Sequence, residues 1–324
     1  MSFTRRSFVR LAGALTASPA LPLAAQEQGW PSRPIRILVG TAAGGSPDII
    51  SRILGDKLSE RLGQSFVIEV NTQGAGLVAQ QIVSRSASDG YTMLMMTGGY
   101  PPQTVLRNLG FHPLDGFSFV TTVCGYPMVY AVAPDSPIQS FPDLLARAKV
   151  DPGKLTYTIT SLGSIYHMLT AWIELEAGVR MTPIPYRGSA QALQDVLGGR
   201  VDVMVDAATS MFPRIKAGQL RLLAVSSAGR FPLMPEAPSV DESVPGIEVM
   251  SWLGLAMAPG TPAAIIERLN SEVRRALALP DVQARLIEGG NIAIPSTPQE
   301  YRERVEREIT RWRRVIVAAG IKAE

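Results

Sequence analysis

The chain has 324 residues, 46% of them apolar and 18% charged, enough for one large core or two medium ones. Its 31 basic and 28 acidic residues give a formal net charge of +3, but Arg5, Arg6 and Arg10 all fall in the first 25 residues, which hold no acid, and the remainder carries 28 of each sign. That balance excludes an electrostatic case for nucleic acid or an anionic membrane surface, and no stretch beyond the N-terminus is apolar enough for long enough to span a bilayer.

The N-terminus reads as an export signal, with residues 1–25 removed. Thr4-Arg5-Arg6-Ser7-Phe8-Val9-Arg10 resembles a twin-arginine motif, residues 11–25 are uncharged and rich in Ala and Leu, and cleavage is expected after Ala25. The alternative is the basic start of an ordinary general-secretion signal. Either route places the mature chain in the periplasm. No Cys follows the apolar stretch, which speaks against a lipid anchor there. The single cysteine, Cys124, permits no intrachain disulfide and reads as a buried small hydrophobe.

Strands and helices then alternate. A strand over 35–39 leads to a helix over 47–62 closed by Gly63, with Ser46 as its expected N-cap and Pro47 at its first position. A strand over 65–70, a helix over 75–86 and a buried strand over 91–96 follow. Two separate strands are expected at 118–123 and 128–133, then a helix over 141–149 capped by Ser140. Strands over 155–159, 182–186, 201–205 and 221–226 alternate with helices over 165–177, 190–197 and near 211–217. The C-terminal part has a strand over 254–258 and helices over 262–279, 281–288 and 298–319. In the last, Tyr301, Val305, Ile309, Trp312 and Ile316 form one apolar stripe, read as packing. The rhythm predicts an α/β fold of two units, with mostly parallel sheets flanked by helices and strand-like crossovers near 122–126 and 226–229.

Catalytic groups are scarce. The two histidines are His112, in a proline-rich loop, and His167, at a helix start. No HExxH, CxxC or GxSxG occurs, so no metal, cofactor or catalytic residue is expected. An exported hydrolase using His167 with a nearby Ser is the enzymatic alternative. Gly74-Ala75-Gly76-Leu77-Val78-Ala79 fits a dinucleotide-type GxGxxA, but the following strand ends in Met96-Thr97 rather than an acid, so these glycines read as a tight turn against a helix.

What remains is a set of small-residue loops at the carboxyl ends of strands, each opening a helix. The first is Thr41, Ala42, Ala43, Gly44 and Gly45, ending at Ser46, with Asp48 in the first helical turn. The second is Thr160, Ser161, Leu162, Gly163 and Ser164, with His167 in the next turn. Arg187, Gly188 and Ser189 form the third, and Asp206 opens the fourth. Such loops are where ligands bind parallel sheets, and helix N-termini offer free N–H groups suited to an anion such as a carboxylate. Asp48 either meets the ligand or pairs with Arg52 four residues on. Arg187 either clamps a carboxylate or sits at the surface. Asp206 is placed at the cleft rim, to receive a ligand amine or hydroxyl or to bond the facing loop.

These blocks, in this order, resemble the Bug family of extracytoplasmic solute-binding receptors of tripartite tricarboxylate transporters. WPSRPIRILVGTAAGGSPDIISRIL, PGKLTYTITSLGS, PIPYRGSAQALQDVLGGRVDVMVD and GQLRLLAVSSAGR carry the likeness from Trp30 to about Leu277. The resemblance implies a two-domain Venus-flytrap fold with residues 26–124 plus 227–324 as one domain, 125–226 as the other, and the ligand in the cleft between them. It implies a monomer that binds a small carboxylate without catalysis and serves transporter membrane subunits, or alternatively a sensor protein. It places the ligand carboxylate between the loops 41–46 and 160–164, partly through water, with Thr97, Arg187, Gly188 and Asp206 as further contacts. Three segments depart from the family pattern: Gly40-Thr41, Asn71-Thr72-Gln73, and TGGYPPQT over 97–104, where Tyr100 is expected to reshape the distal cleft.

Overall fold

The computed structural model describes residues 29–186 and 188–322. The signal segment and Arg187 lie outside the described residues. By its contacts the chain divides into a unit ending at Trp30 and a unit from Pro31 to Glu324; the fold below is that of the second.

In chain order the elements are β1 (Ile35–Val39), α1 (Ser46–Leu62), β2 (Phe66–Val70), α2 (Leu77–Ser84), β3 (Thr92–Thr97), α3 (Tyr100–Leu106) and β4 (Ser118–Val132). Then come α4 (Phe141–Val150), β5 (Thr156–Ile159), α5 (Ile165–Ala177), β6 (Thr182–Pro185), α6 (Ser189–Leu197), β7 (Met204–Ala207), α7 (Ala208–Lys216) and β8 (Arg221–Val225). The chain ends with β9 (Met250–Met257), α8 (Ala263–Leu277), α9 (Pro280–Glu288), β10 (Ile292–Ala293) and α10 (Pro298–Ala318).

One sheet has the order β10-β4-β9-β3-β1-β2. β1 is parallel to β2 and β3, whereas β9 is antiparallel to both β3 and β4. A second sheet is built on the far half of β4, which β7 and β8 flank antiparallel. Tyr157 bridges Val203 in parallel, and β5 and β6 pair in parallel beyond it. The parallel rhythm therefore holds within β2-β1-β3 and β5-β6, and antiparallel pairing appears where the chain travels out of one sheet and back. A return journey without a crossover helix must run opposite to the outward one.

β4 is one continuous strand where two are expected. Pro127 still faces Met250 of the first sheet, and Met128 already faces Ala207 of the second. Gly125-Tyr126-Pro127 thus marks a change of partners, and the N–H that proline lacks falls at the change. Fully buried Ser226 fastens the return crossing to this point. Its N–H donates to Met128 O (2.9 Å), its Oγ accepts from Met128 N (2.9 Å) and donates to Val249 O (2.6 Å), and its carbonyl accepts from Val249 N (2.7 Å).

Each sheet has its own core. Leu38, Leu94, Met96, Tyr100, Phe119 and Trp252 belong to the first; Tyr130, Phe141, Leu144, Tyr157, Met168 and Trp172 belong to the second. The apolar stripe of α10 serves both. Tyr301, Val305 and Ile309 enter the first core, while Trp312, Val315 and Ile316 enter the second. Tyr301 meets Phe119 and Trp252 edge-on at 5.0 and 5.3 Å, and Trp312 meets Trp172 at 6.2 Å. Val240, Val244, Ile247 and Val249, on the return crossing, also lie in the second core.

Three local expectations change. The N-cap of α1 is Gly45, which makes no side-chain cap bond, so Ser46 is the first helical residue. The span 75–86 is a 3-10 turn, Gln73–Gly76, followed by α2. The segment TGGYPPQT holds an unexpected helix, α3: its prolines occupy the first turn, where helical N–H groups have no intrahelical acceptor to lose. Tyr100 does not reach a cleft. It is 1% exposed, lies in the first core, and its hydroxyl donates to Pro113 O (2.6 Å).

Burial lifts the carboxyl of Glu174, on α5, to about 7, although Oε1 accepts the Met181 N–H. The unfolded value is about 4.3, so this group favours the fold fully below that pH and ceases to do so as pH rises through about 7. Glu174→Gln keeps the acceptor and removes the titration. Urea denaturation should find the variant gaining on the wild type between pH 5 and pH 8 by about 1–2 kcal/mol, reduced from the full shift by partial exposure; parallel pH profiles would refute the assignment.

Candidate functional site

The loop after β1 and the loop after β5 fold alike although their sequences differ. Gly44 and Gly163 both adopt φ +77°, the left-handed region that glycine enters without steric cost. In each, the glycine N–H is taken by a side chain four residues on: Gly44 N donates to Asp48 Oδ2 (2.8 Å), and Gly163 N to His167 Nδ1 (3.0 Å). The turns close alike, Gly45 N to Ala42 O (3.2 Å) and Ser164 N to Ser161 O (3.1 Å). Both end at the start of a long helix, of 17 residues for α1 and 13 for α5. Ser164 caps α5 by accepting from His167 N, as Gly45 cannot do for α1.

In the first loop Ala42, Ala43 and Gly44 are exposed, and no atom lies within 4 Å of where a Gly44 Cβ would stand. Thr41 Oγ1 and Ser46 Oγ are shielded from solvent and make no hydrogen bond among the described residues, the kind of buried polar atom that needs a partner. Asp48 is 4% exposed and pairs with Arg52 at 2.9 Å. Burial opposes its charge, but the Gly44 amide and Arg52 outweigh that and hold its carboxyl below the usual carboxylate range. In the second loop Thr160 is exposed and Ser161, Gly163 and Ser164 are half-buried. Burial pushes the His167 imidazole below its ordinary value. With Nδ1 accepting the Gly163 amide, the neutral ring carries its proton on Nε2. No hydroxyl of a described serine hydrogen-bonds that ring.

Thr97 ends β3, and its Oγ1 accepts from Gly99 N (3.3 Å). Gly188 is the extended N-cap of α6. Asp206, on β7, is 8% exposed and accepts from Ala207 N (2.7 Å). Burial pushes its carboxyl above the ordinary range, offset in part by hydrogen bonds from Ser189, the Ala207 amide, Ser210 and Tyr166. Tyr126, at the partner change of β4, feels the charge of Asp206; burial raises its phenol to about 12 despite a hydrogen bond with Ser251. The structure thus joins Asp206, Ser189 and Tyr166 in one buried polar group beside Tyr126 and Ser251. Among the described residues no hydrogen bond links the loop 41–46 to the loop 160–164. Sequence reasoning missed Tyr126, Tyr166 and Ser251; the one available signal was Tyr126 standing in the Gly-Tyr-Pro interruption of two strand-like runs.

Gly76 explains the decoy glycines. A Cβ on it would lie 2.8 Å from Gly40 O, and one on Gly40 would lie 2.9 Å from Gly76 Cα. Two backbones touch here, and the contact seats the strand end that enters the first loop.

Two α/β sheets sharing crossing strands, with matched glycine loops at strand ends, are the architecture of the two-domain periplasmic binding proteins. The family description that fits residues 50–321 is "Tripartite tricarboxylate transporter family receptor", and the chain belongs to that family of solute-binding receptors. A UPF0065 protein from the tcbD-tcbE intergenic region of Pseudomonas sp. strain P51 is 34% identical over 98% of this chain and 95% of its own. Among solved structures, Rpa4515 of R. palustris with adipate has a TM-score of 0.83 at 34% identity, over 91% of this chain and 100% of that one. The periplasmic binding protein BugD has a TM-score of 0.81 at 29% identity, with the same coverage. Among the described residues no helix is long and apolar enough to cross a membrane, and no three metal-ligating side chains cluster.

The open space around Gly44 separates backbone strain from collision. Gly44→Val should lose about 1–3 kcal/mol in urea denaturation while keeping the far-ultraviolet circular dichroism of the wild type, because a β-branched residue is forced to φ > 0. A variant as stable as the wild type would show that the loop does not require the left-handed conformation.

Proposed function

We propose that the protein captures a small carboxylate in the periplasm and delivers it to the membrane subunits of a tripartite transporter, without catalysis and as a monomer. The observation that carries this reading is the matched pair of loops. Each turns at a left-handed glycine whose N–H is already occupied, and each presents a helix N-terminus, an environment that favours an anion. In the first loop the Thr41 and Ser46 hydroxyls await a partner. A neighbour of the same family holds adipate, a dicarboxylate.

On this reading Thr41, Ala42, Ala43, Gly44, Gly45, Thr160, Ser161, Gly163 and Ser164 surround the ligand carboxylate. Asp48 and His167 work from behind, holding the loop glycines; the Asp48 charge is spent on Gly44 and Arg52 and would repel an acid met directly. Thr97, Arg187 and Gly188 are further contacts. The two cores are two lobes that close on the ligand about β4 and the Ser226 crossing. The division near Gly125 and Ser226 is kept, with the stretch 240–249 and the end of α10 leaning on the second lobe's core. Arg5 and Arg6 support export by the twin-arginine route, with general secretion as the alternative.

The test is a thermal-shift screen of refolded mature protein against mono-, di- and tricarboxylates, acidic amino acids and aromatic acids. Ligand at about 100 times its Kd adds roughly 2.7 kcal/mol, moving the midpoint by several degrees at about 2–4 °C per kcal/mol. A shift confined to one acid class supports the reading, and Gly44→Val should abolish it; no shift with any acid overturns it. Asp206→Ala should weaken ligands bearing an amine or hydroxyl more than plain acids, measured by calorimetric titration. Equal loss for both would assign Asp206 to the buried hydroxyl group alone.

A further inference from the structure

The helix α3 begins in the segment that departs from the family pattern and runs two residues beyond it, and side chains at its end touch both the turn 74–76 and the second loop. On one side Gln103 Nε2 donates to Ala75 O (3.3 Å) and Arg107 Nη1 to Gly74 O (3.1 Å). Gln103 is itself steadied by Gln80, whose Nε2 donates to Gln103 Oε1 (3.0 Å). The turn they hold is unusual. Gly74, Ala75 and Gly76 are left-handed in succession at φ 59°, 55° and 87°, and Ala75 is the one non-glycine residue with positive φ among those described. Such a conformation persists only where its surroundings enforce it. Gly76 in turn presses on Gly40, the residue that enters the first loop.

On its other side α3 ends at Leu106. Its Cδ1 lies 2.6 Å from the position a Cβ would take on Gly163, in the centre of the second loop. Leu106 packs against the second core, and Val105 against both. A side chain from the segment between β3 and β4 therefore sits on the backbone of the loop between β5 and α5, in a socket that exists because position 163 has no side chain. Contacts run without a gap from Gly40 through Gly76, the 74–75 carbonyls, Gln103, Arg107 and Leu106 to Gly163.

We propose that α3 is a clasp: Leu106 seated on Gly163 holds the two lobes together and positions the second loop relative to the first, making Leu106 a positioning residue for ligand capture. The proposal rests on the two-loop reading above for its use, but the clasp itself acts with or without ligand. The TGGYPPQT segment contributes the prolines that start α3, and Leu106, two residues beyond it, makes the contact.

The experiment is a spin-label distance measurement on the otherwise intact, ligand-free chain. Labels go on Val67→Cys, on β2, and Val150→Cys, at the end of α4, both exposed, at 44% and 78%. The native thiol, Cys124, is buried and the chain has no other, so labelling is selective. Leu106→Ala should broaden the distance distribution and shift it to longer values, while Leu106→Met, which still reaches the socket, should restore it. Superimposable distributions for wild type and Leu106→Ala, or a Leu106→Met variant as broad as Leu106→Ala, overturn the proposal. Leu106→Val, shorter in reach but still apolar, replaces the alanine variant should that fail to fold. If the carboxylate reading fails, the thermal-shift screen shows it while these distances still report on the clasp. With adipate as probe, should it bind, Leu106→Ala should speed dissociation about tenfold with little change in association, since contact losses act mainly on the off-rate.

Discussion

Four hydrogen bonds to one buried serine hold this molecule's two halves in register. Ser226 uses its N–H, its carbonyl and both capacities of its hydroxyl on Met128 and Val249, so that the outgoing strand β4 and the return crossing are fastened at the point where β4 changes sheets. Everything functional depends on that point. β4 belongs to two sheets with two cores, and the candidate loops open from strands on opposite sides of the change.

α10 makes a second connection of a different kind. Its stripe is regular, yet Tyr301, Val305 and Ile309 lie in the core of Phe119 and Trp252, and Trp312 and Ile316 in the core around Trp172. α10 thus ties the two cores through side chains, where β4 and Ser226 tie the two sheets through hydrogen bonds.

The two loops show how one geometry is reached by different chemistry. An anion, Asp48, neutralised by Arg52, holds Gly44; a neutral imidazole, His167, holds Gly163. Both leave the loop interior free of side-chain charge. Asp206 stands apart, buried near hydroxyls of α5, α6 and α7: there burial outweighs the hydrogen bonds and raises its carboxyl, whereas at Asp48 the Gly44 amide and Arg52 outweigh burial.

The alternation of strand and helix, the positions of the small-residue loops and the stripe of α10 were legible in the sequence, because periodicity and turn chemistry act between residues a few positions apart. The Asp48–Arg52 pair was read for the same reason, while the glycines at 74–76 were read as a tight turn against a helix and the tightest contact of Gly76 is with the Gly40 backbone at the end of β1. The tertiary structure alone decided that β4 is one strand, that Gly45 rather than Ser46 precedes α1, and that two prolines start a helix. It alone decided that Tyr100 turns into the core, that Leu106 lies on Gly163, and that α10 divides its stripe between two cores. Three of these involve partners distant in sequence: Ser226 with Met128, Tyr100 with Pro113, Leu106 with Gly163. Local propensity cannot encode a backbone-to-backbone or side-chain-to-glycine fit that exists only once the two sheets are brought together.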